Sequence, residues 1–287
     1  MNPPEPRSTM RALLQLMRPK QWIKNTFVFA PLIFTRGYLD PSALTAAVLA
    51  FVLFCLASSA SYIVNDIHDI EQDRQHPKKQ LSRPLASGRI SHANALILLG
   101  VLLFFLALGA FAMPQVLAVI AAYLALNLAY TFVLKHQPVV DIFSIAIGFV
   151  LRVYAGAVAL SVPLSNWMAI TTLSLALYLA AIKRRQELAS NGAKSRAVLQ
   201  AYSATLIDRY AEISATGALI FYSLFVMSTH PNLVFTIPLV IFGLFRYWYI
   251  VEQLDQGESP TDVILTDWSL ALTVVAWIGV CVWMLWP

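Results

Sequence analysis

Little of this sequence is charged. Asp, Glu, Lys and Arg make up 12% of its residues, against about 25% in a soluble domain, and the scarcity excludes an ordinary water-soluble globule. Cysteine is as sparse. Cys55 and Cys281 sit in apolar runs with no second thiol or histidine at ligand spacing, which excludes a disulfide framework and a thiolate metal site. His68, His76, His92, His136 and His230 show no zinc-ligand spacing either. There is no catalytic triad, internal repeat or low-complexity segment, and no polar module to present a nucleic-acid surface. The first apolar run, 27–34, is short, contains Pro31 and lacks a small-residue cleavage site, so it reads as retained rather than removed.

What is abundant is apolar, 59% of the chain. Long apolar segments between short loops satisfy their backbone in lipid only as helices, so the expected class is an all-α integral membrane protein. About 20 apolar residues cross a bilayer core. On that measure spans are expected at 22–35, 43–64, 93–111, 115–134, 139–159, 167–182, 211–227, 233–250 and 268–286, nine in all and in a single membrane domain over 1–287. Residues 1–17 read as a flexible or amphipathic tail. Lys and Arg accumulate in cytoplasmic loops. Arg7, Arg11, Arg18, Lys20 and Lys24 precede the first span, Arg74, Lys78, Lys79, Arg83 and Arg89 fill the second loop, Lys135 the fourth, and Lys183, Arg184 and Arg185 the sixth. The N-terminus and the even loops are therefore expected in the cytoplasm, with the protein in a bacterial inner membrane. The basic face suits anionic lipid and phosphorylated substrates rather than nucleic acid. Oligomerisation is left open.

The chemistry concentrates where the second span ends, in Asn65-Asp66-Ile67-His68-Asp69-Ile70-Glu71-Gln72-Asp73. If the helix continues, Asn65, Asp69 and Asp73 share one face and Asp66 stands one step away. Hard cations such as Mg²⁺ take carboxylate oxygens and complete their shell with water and phosphate. Repulsion among acids at a span's end is relieved by such a cation; a solvated acidic helix end is the plainer alternative. A basic run follows, with Lys78, Lys79 and Arg83. Acids and cations within one loop suit a metal-bound diphosphate, although positive-inside charge alone also yields such loops.

Asn65-Asp66-x-x-Asp69-x-x-x-Asp73 with Arg83-Pro84-Leu85-x-Ser87-Gly88 resembles the first aspartate motif and trailing loop of the UbiA-type intramembrane prenyltransferases. That resemblance implies a nine-helix bundle with a central cavity facing the cytoplasm, and Mg²⁺ with a diphosphate held at its mouth by Asp66, Asp69 and Asp73. Such enzymes carry a second acidic cluster after the sixth span. Here Lys183-Arg184-Arg185-Gln186-Glu187-Leu188 leaves Glu187 among three cations, which suits a donor with a further phosphate. Over nearly its whole length the chain is similar to the decaprenyl-phosphate phosphoribosyltransferase branch, through Arg18-Pro19-Lys20-Gln21-Trp22-Ile23-Lys24-Asn25, Tyr130-x-x-x-Leu134-Lys135-His136-Gln137, Arg152 with Ala155-Gly156, Lys183 to Leu188, Gly192 to Thr205 with Tyr202, and Arg246-Tyr247. It departs at Arg185, where that branch has an aromatic residue.

The resemblance implies phosphoribosyl pyrophosphate as donor and a polyprenyl phosphate as acceptor. Asn65, Asp66, Asp69 and Asp73 would be the catalytic set, with Lys20, Lys24, Lys78, Arg83, Tyr130, Lys135, Arg152, Lys183, Arg184, Glu187 and Tyr202 binding substrate. Lys20 and Lys24, four apart, are expected on one helix face, where they would grip phosphate or anchor to headgroups. Arg152 lies eleven residues after Asp141, about 16 Å along a helix and near mid-membrane. Its expected partner is the lipid phosphate or an unidentified carboxylate. A prenyltransferase acting on an aromatic acceptor is the nearest alternative, and a transporter, which would want inverted repeats, the next.

Overall fold

The computed structural model describes residues 6–75, 79–191, 197–253, 262–263 and 266–287. Among them every regular element is helical. A short helix, α1 (Pro6–Met17), leads into a 3-10 segment (Pro19–Phe29) and a five-residue helix, α2 (Ala30–Phe34). Then come α3 (Pro41–His68), α4 (Ile70–Gln75), α5 (Lys79–Ser82), α6 (His92–Ala112), α7 (Pro114–Phe132) and α8 (Val140–Ala159). The last four are α9 (Asn166–Asn191), α10 (Ala204–Thr229), α11 (Ile237–Gln253) and α12 (Trp268–Met284).

Local sequence sets where these helices begin. Asp40, Ser91, Ser203 and Asp267 each accept a backbone N–H of the first turn of α3, α6, α10 and α12, which satisfies donors a helix leaves unpaired. Proline opens α3 and α7, where its missing N–H is harmless. Among the described residues six helical stretches are long and apolar enough to cross a membrane, and α12 is a shorter apolar helix. The 26-residue α9 instead carries Lys183, Arg184 and Arg185 in its last third. Large apolar side chains face outward along α6, among them Ile97, Phe104 and Phe105, as lipid-facing residues do. This is a multi-pass membrane protein.

The expected span at 22–35 is not a regular α-helix. It is the 3-10 segment followed by α2, and the reason lies in α8. A Cβ placed on Gly156 would stand 2.0 Å from the carbonyl oxygen of Val28, so only glycine lets the α8 backbone meet this segment. Deeper in the same contact Arg152 Nε donates to Asn25 Oδ1 at 2.8 Å, and Asn25 Nδ2 donates to Ser58 Oγ at 3.1 Å on α3. Gly156→Ala is expected to cost about 1–3 kcal/mol by overpacking, read as a lowered Tm of the purified protein; an unchanged Tm removes the close approach. Successive helices pack side by side, α7 to α8, α8 to α9, α9 to α10, α10 to α11 and α11 to α12, while α12 touches α2, which lies beside α3 and α8. The last helix thus meets α2, near the start of the chain.

Candidate active site

The acidic motif lies at one end of this bundle. Helix α3 stops at His68 with Asp69 as its cap, yet the ladder carries through the break: Asp69 N–H donates to Asn65 O and Asp73 N–H to Asp69 O, both at 2.9 Å. Asn65, Asp69 and Asp73 therefore follow one another at helical spacing, as expected. Asn65 Nδ2 donates to Asp69 Oδ2 at 3.0 Å, which fixes the carboxylate plane.

Each acid meets a cation. Asp66, buried, accepts from Arg83 at 2.7 Å and from Arg18 on the same oxygen. Asp69 accepts from Lys135 at 2.6 Å and lies 2.8 Å from His68 Nδ1. Asp73 is 3.2 Å from Lys79 Nζ. Burial alone raises the Asp69 pKa, but hydrogen bonds and charge from Lys135 and His68 outweigh it and hold the carboxyl below its ordinary range. Lys78 lies outside the described residues. Arg18 and Lys79 were named from the sequence within basic stretches but not assigned to the site; Arg18 comes from 48 residues away, and nothing local aims it. Gly88, with φ of 73°, supplies the left-handed turn after Arg83 that only glycine takes without strain.

A second, buried network joins α7, α8 and α9. Arg184 has no exposed surface and commits three nitrogens, Nε to Asp141 at 2.6 Å, Nη1 to Glu187 at 2.7 Å and Nη2 to Tyr130 OH at 2.9 Å. Tyr202 OH donates to the other Asp141 oxygen at 2.7 Å and accepts from Val139 N–H at 2.6 Å. Val139 has φ of 67°, and Val140 N–H closes a γ-turn on Pro138 O at 2.8 Å. A β-branched residue there is strained, and Tyr202 holds the strain in place beside Lys135. Lys183 stands 3.9 Å from Glu187. Arg185 points the other way, joining α9 to Asp208 of α10 at 2.5 Å and Glu252 of α11 at 2.9 Å.

Deeper in the bundle Arg152 has no carboxylate among its described partners. Its nitrogens reach Asn25 Oδ1, Gly148 O and Tyr123 OH at 2.8, 2.8 and 3.0 Å, and the guanidinium lies 4.8 Å from the Tyr123 ring. The carboxylate expected as one alternative falls away, since Asp141 belongs to Arg184. Lys24 is half-buried, with no hydrogen bond or ion pair among the described residues, and within electrostatic reach of Arg152, Arg18 and Asp262. Lys20 is exposed. The two lysines do not share a face as expected: a 3-10 helix has three residues per turn, so residues four apart are turned by a third of a circle.

Among the described residues no three His, Cys, Asp or Glu side chains converge as a metal cage. The acids nevertheless suit a hard cation. Asp66 Oδ2 is buried without a hydrogen-bond partner, a costly state for a carboxylate oxygen and one that an oxygen-seeking cation relieves.

The sequence matches the UbiA prenyltransferase family over residues 26–265. The chain belongs to that family. It is 35% identical to a decaprenyl-phosphate phosphoribosyltransferase of Mycolicibacterium smegmatis, with 96% of this chain and 92% of that protein covered. It is likewise 35% identical to the enzyme of that name from Corynebacterium glutamicum, covering 95% of this chain and 86% of the relative. Among solved structures it resembles a UbiA homologue from Archaeoglobus fulgidus bound to DMAPP and Mg²⁺, at a TM-score of 0.74 and 21% identity over 95% of this chain and 98% of that one. This UbiA family member therefore shares its fold with a protein 21% identical to it, and it matches the two bacterial transferases over nearly all of its own length.

Proposed function

We propose that this UbiA family protein is a Mg²⁺-dependent polyprenyl-phosphate phosphoribosyltransferase. It moves 5-phosphoribose from phosphoribosyl pyrophosphate to a long-chain polyprenyl phosphate and releases pyrophosphate, with the acidic end of the bundle facing the cytoplasm from a bacterial inner membrane. The observation that carries this reading is that the acidic ladder is confined to α3 and α4, while α9 brings Lys183 and Arg184, paired with Glu187 and Asp141, where UbiA-type prenyltransferases have a second acidic cluster. A donor with a diphosphate and a further phosphate suits that balance, and the names of the two bacterial relatives agree with it.

Asp66, Asp69 and Asp73 would hold Mg²⁺, with Asn65 orienting Asp69. Bound there, the ion would supply Lewis-acid stabilisation of negative charge on the departing pyrophosphate. Arg83, Lys135 and Lys183, with Lys78 and the exposed Lys20, would bind the remaining phosphate oxygens of the donor. Tyr130, Glu187 and Tyr202 hold Arg184 and Asp141, and so fix the cationic wall. The acceptor needs no general base: a phosphate monoester has its second pKa near 6 and is largely ionised at neutral pH. Its oxygen attacks C1 of the ribose as the C1–O bond to pyrophosphate breaks.

Arg152 and Lys24 hold the lipid phosphate in this reading. Arg152 carries five N–H donors and spends three on Asn25, Gly148 and Tyr123, which leaves donors for an anion. Arg152→Gln is expected to raise KM for the polyprenyl phosphate about tenfold, the loss of one charge-assisted hydrogen bond, with KM for the soluble donor unchanged. Steady-state kinetics in both substrates checks this. An unchanged lipid KM takes Arg152 out of the acceptor site.

The overall reading is tested with detergent-solubilised protein, Mg²⁺, polyprenyl phosphate and labelled phosphoribosyl pyrophosphate. Label should move into the organic phase. Label that stays aqueous, while a prenyl diphosphate alkylates an aromatic acceptor, would overturn it.

A further inference from the structure

Helix α1 is tied to the acidic site at one end and uncovered along one side. Ala12 and Leu16 are buried against Ile63 and Leu102, with Leu13 and Met17 packed at the edge of that cluster. On the adjoining face Met10 and Leu14, one turn apart, are 62% and 51% exposed. Arg11, also exposed, shares the remaining face with Gln15. An apolar stripe half packed on protein and half open, with arginine behind it, is the pattern of a helix lying in the plane of a membrane interface. The open half is continuous with the lipid-facing side of α6. That helix supplies Leu102 to the same cluster and leaves its own Leu96 and Ile97 exposed. Lys20 and Arg89 are exposed at this end too, so the surface around α1 is basic and complements anionic headgroups.

The same helix anchors both cations that meet Asp66. The carbonyl of Met17 accepts from Ser59 Oγ at 2.9 Å, directly before Arg18 turns to Asp66. Gln15 donates to Ser82 O at 3.0 Å and accepts from Arg89 at 2.9 Å. Those bonds hold the loop that presents Arg83.

We propose that α1 seats on anionic phospholipid headgroups, with Met10 and Leu14 in the upper acyl layer, and that this seating holds Arg18 and the 79–89 loop against Asp66. The order of the site then follows the charge of the membrane surface. Only the use made of that order rests on the transferase reading.

The test places the intact chain in nanodiscs of phosphatidylcholine with and without phosphatidylglycerol and follows amide hydrogen exchange at 10–18 and 79–89. Phosphatidylglycerol should slow exchange severalfold in both segments, and raised ionic strength should reverse the effect. Arg11→Glu with Leu14→Ser should abolish the lipid effect while leaving exchange in neutral discs as in the parent. Arg11→Glu alone, which removes no packing, should weaken it. A polarity-sensitive dye on Met10→Cys should shift to the blue in anionic discs. Equal exchange in the two discs, or a full lipid effect in the double variant, overturns the proposal. Transfer rates in the same discs should rise with phosphatidylglycerol in the parent alone. If exchange follows lipid charge and no transfer occurs in any disc, the substrate assignment falls and the docking stands.

Discussion

Asp69→Asn should insert and fold like the parent and lose about 10²–10³-fold in turnover, the scale of removing one group that stabilises developing charge. Of the three acids this one gives the cleanest test. Asp66 is 2% exposed and receives two guanidiniums, so neutralising it strands both and damages the fold. Asp73 is nearly as buried. The Asp69 side chain is 17% exposed, and an asparagine there keeps an oxygen that can accept from Lys135. What it loses is the charge that a cation needs.

Acidity gives a control on that result. Because hydrogen bonds hold the Asp69 carboxyl below its ordinary range, its contribution to stability is in place above the unfolded carboxylate pKa and fades only as pH falls through the lower folded value. At neutral pH the parent is therefore fully ionised at this position, and the comparison with asparagine is one of charge alone. The melting temperature should fall only slightly, by the modest contribution of that charge, while turnover should collapse and Mg²⁺ binding by calorimetry should weaken in parallel. Near-parental turnover in both Asp69→Asn and Asp73→Asn would remove the metal from the shelf.

How much of this could be read in advance depended on the range of the interactions involved. Apolar runs from 43–64 onward coincide with helices because bilayer thickness alone sets their length. The acidic ladder was legible because it is local, four residues to each step. The segment at 22–35 was not, since its course is dictated by Gly156 and Arg152 on a helix more than a hundred residues on; Asn25 and Arg152 are 127 apart. The same holds for the partners of the acids. Lys135 was reached through resemblance, but its bond to Asp69 spans 66 residues, and no spacing rule reaches that far. Asp141 was visible as an acid within a span, but its partner Arg184 was not, because the pairing depends on α8 and α9 packing with those two side chains facing.

That pairing leads to the second large effect. Arg184→Met should destabilise the protein by about 3–5 kcal/mol, the cost of breaking a buried ion pair from one side, because Asp141 and Arg184 are both fully buried. The methionine fills most of the volume and leaves the buried Asp141 carboxylate without its cation, with Tyr202 as its remaining side-chain partner among the described residues. Combining Arg184→Gln with Asp141→Asn removes both charges and keeps hydrogen-bonding groups at each position, so most of the lost stability should return. Turnover should not return fully, since the cationic wall facing the donor is weaker and the strained turn at Val139 depends on Tyr202 being held by Asp141. Lys183, 35% exposed beside Glu187, lies at the edge of this buried set, and Lys183→Gln should chiefly raise KM for the soluble donor. Melting curves and donor kinetics across these three variants separate support from direct binding. If Arg184→Met melts like the parent and only its donor KM rises, the guanidinium grips phosphate itself, and the buried network is not what holds this side of the site together.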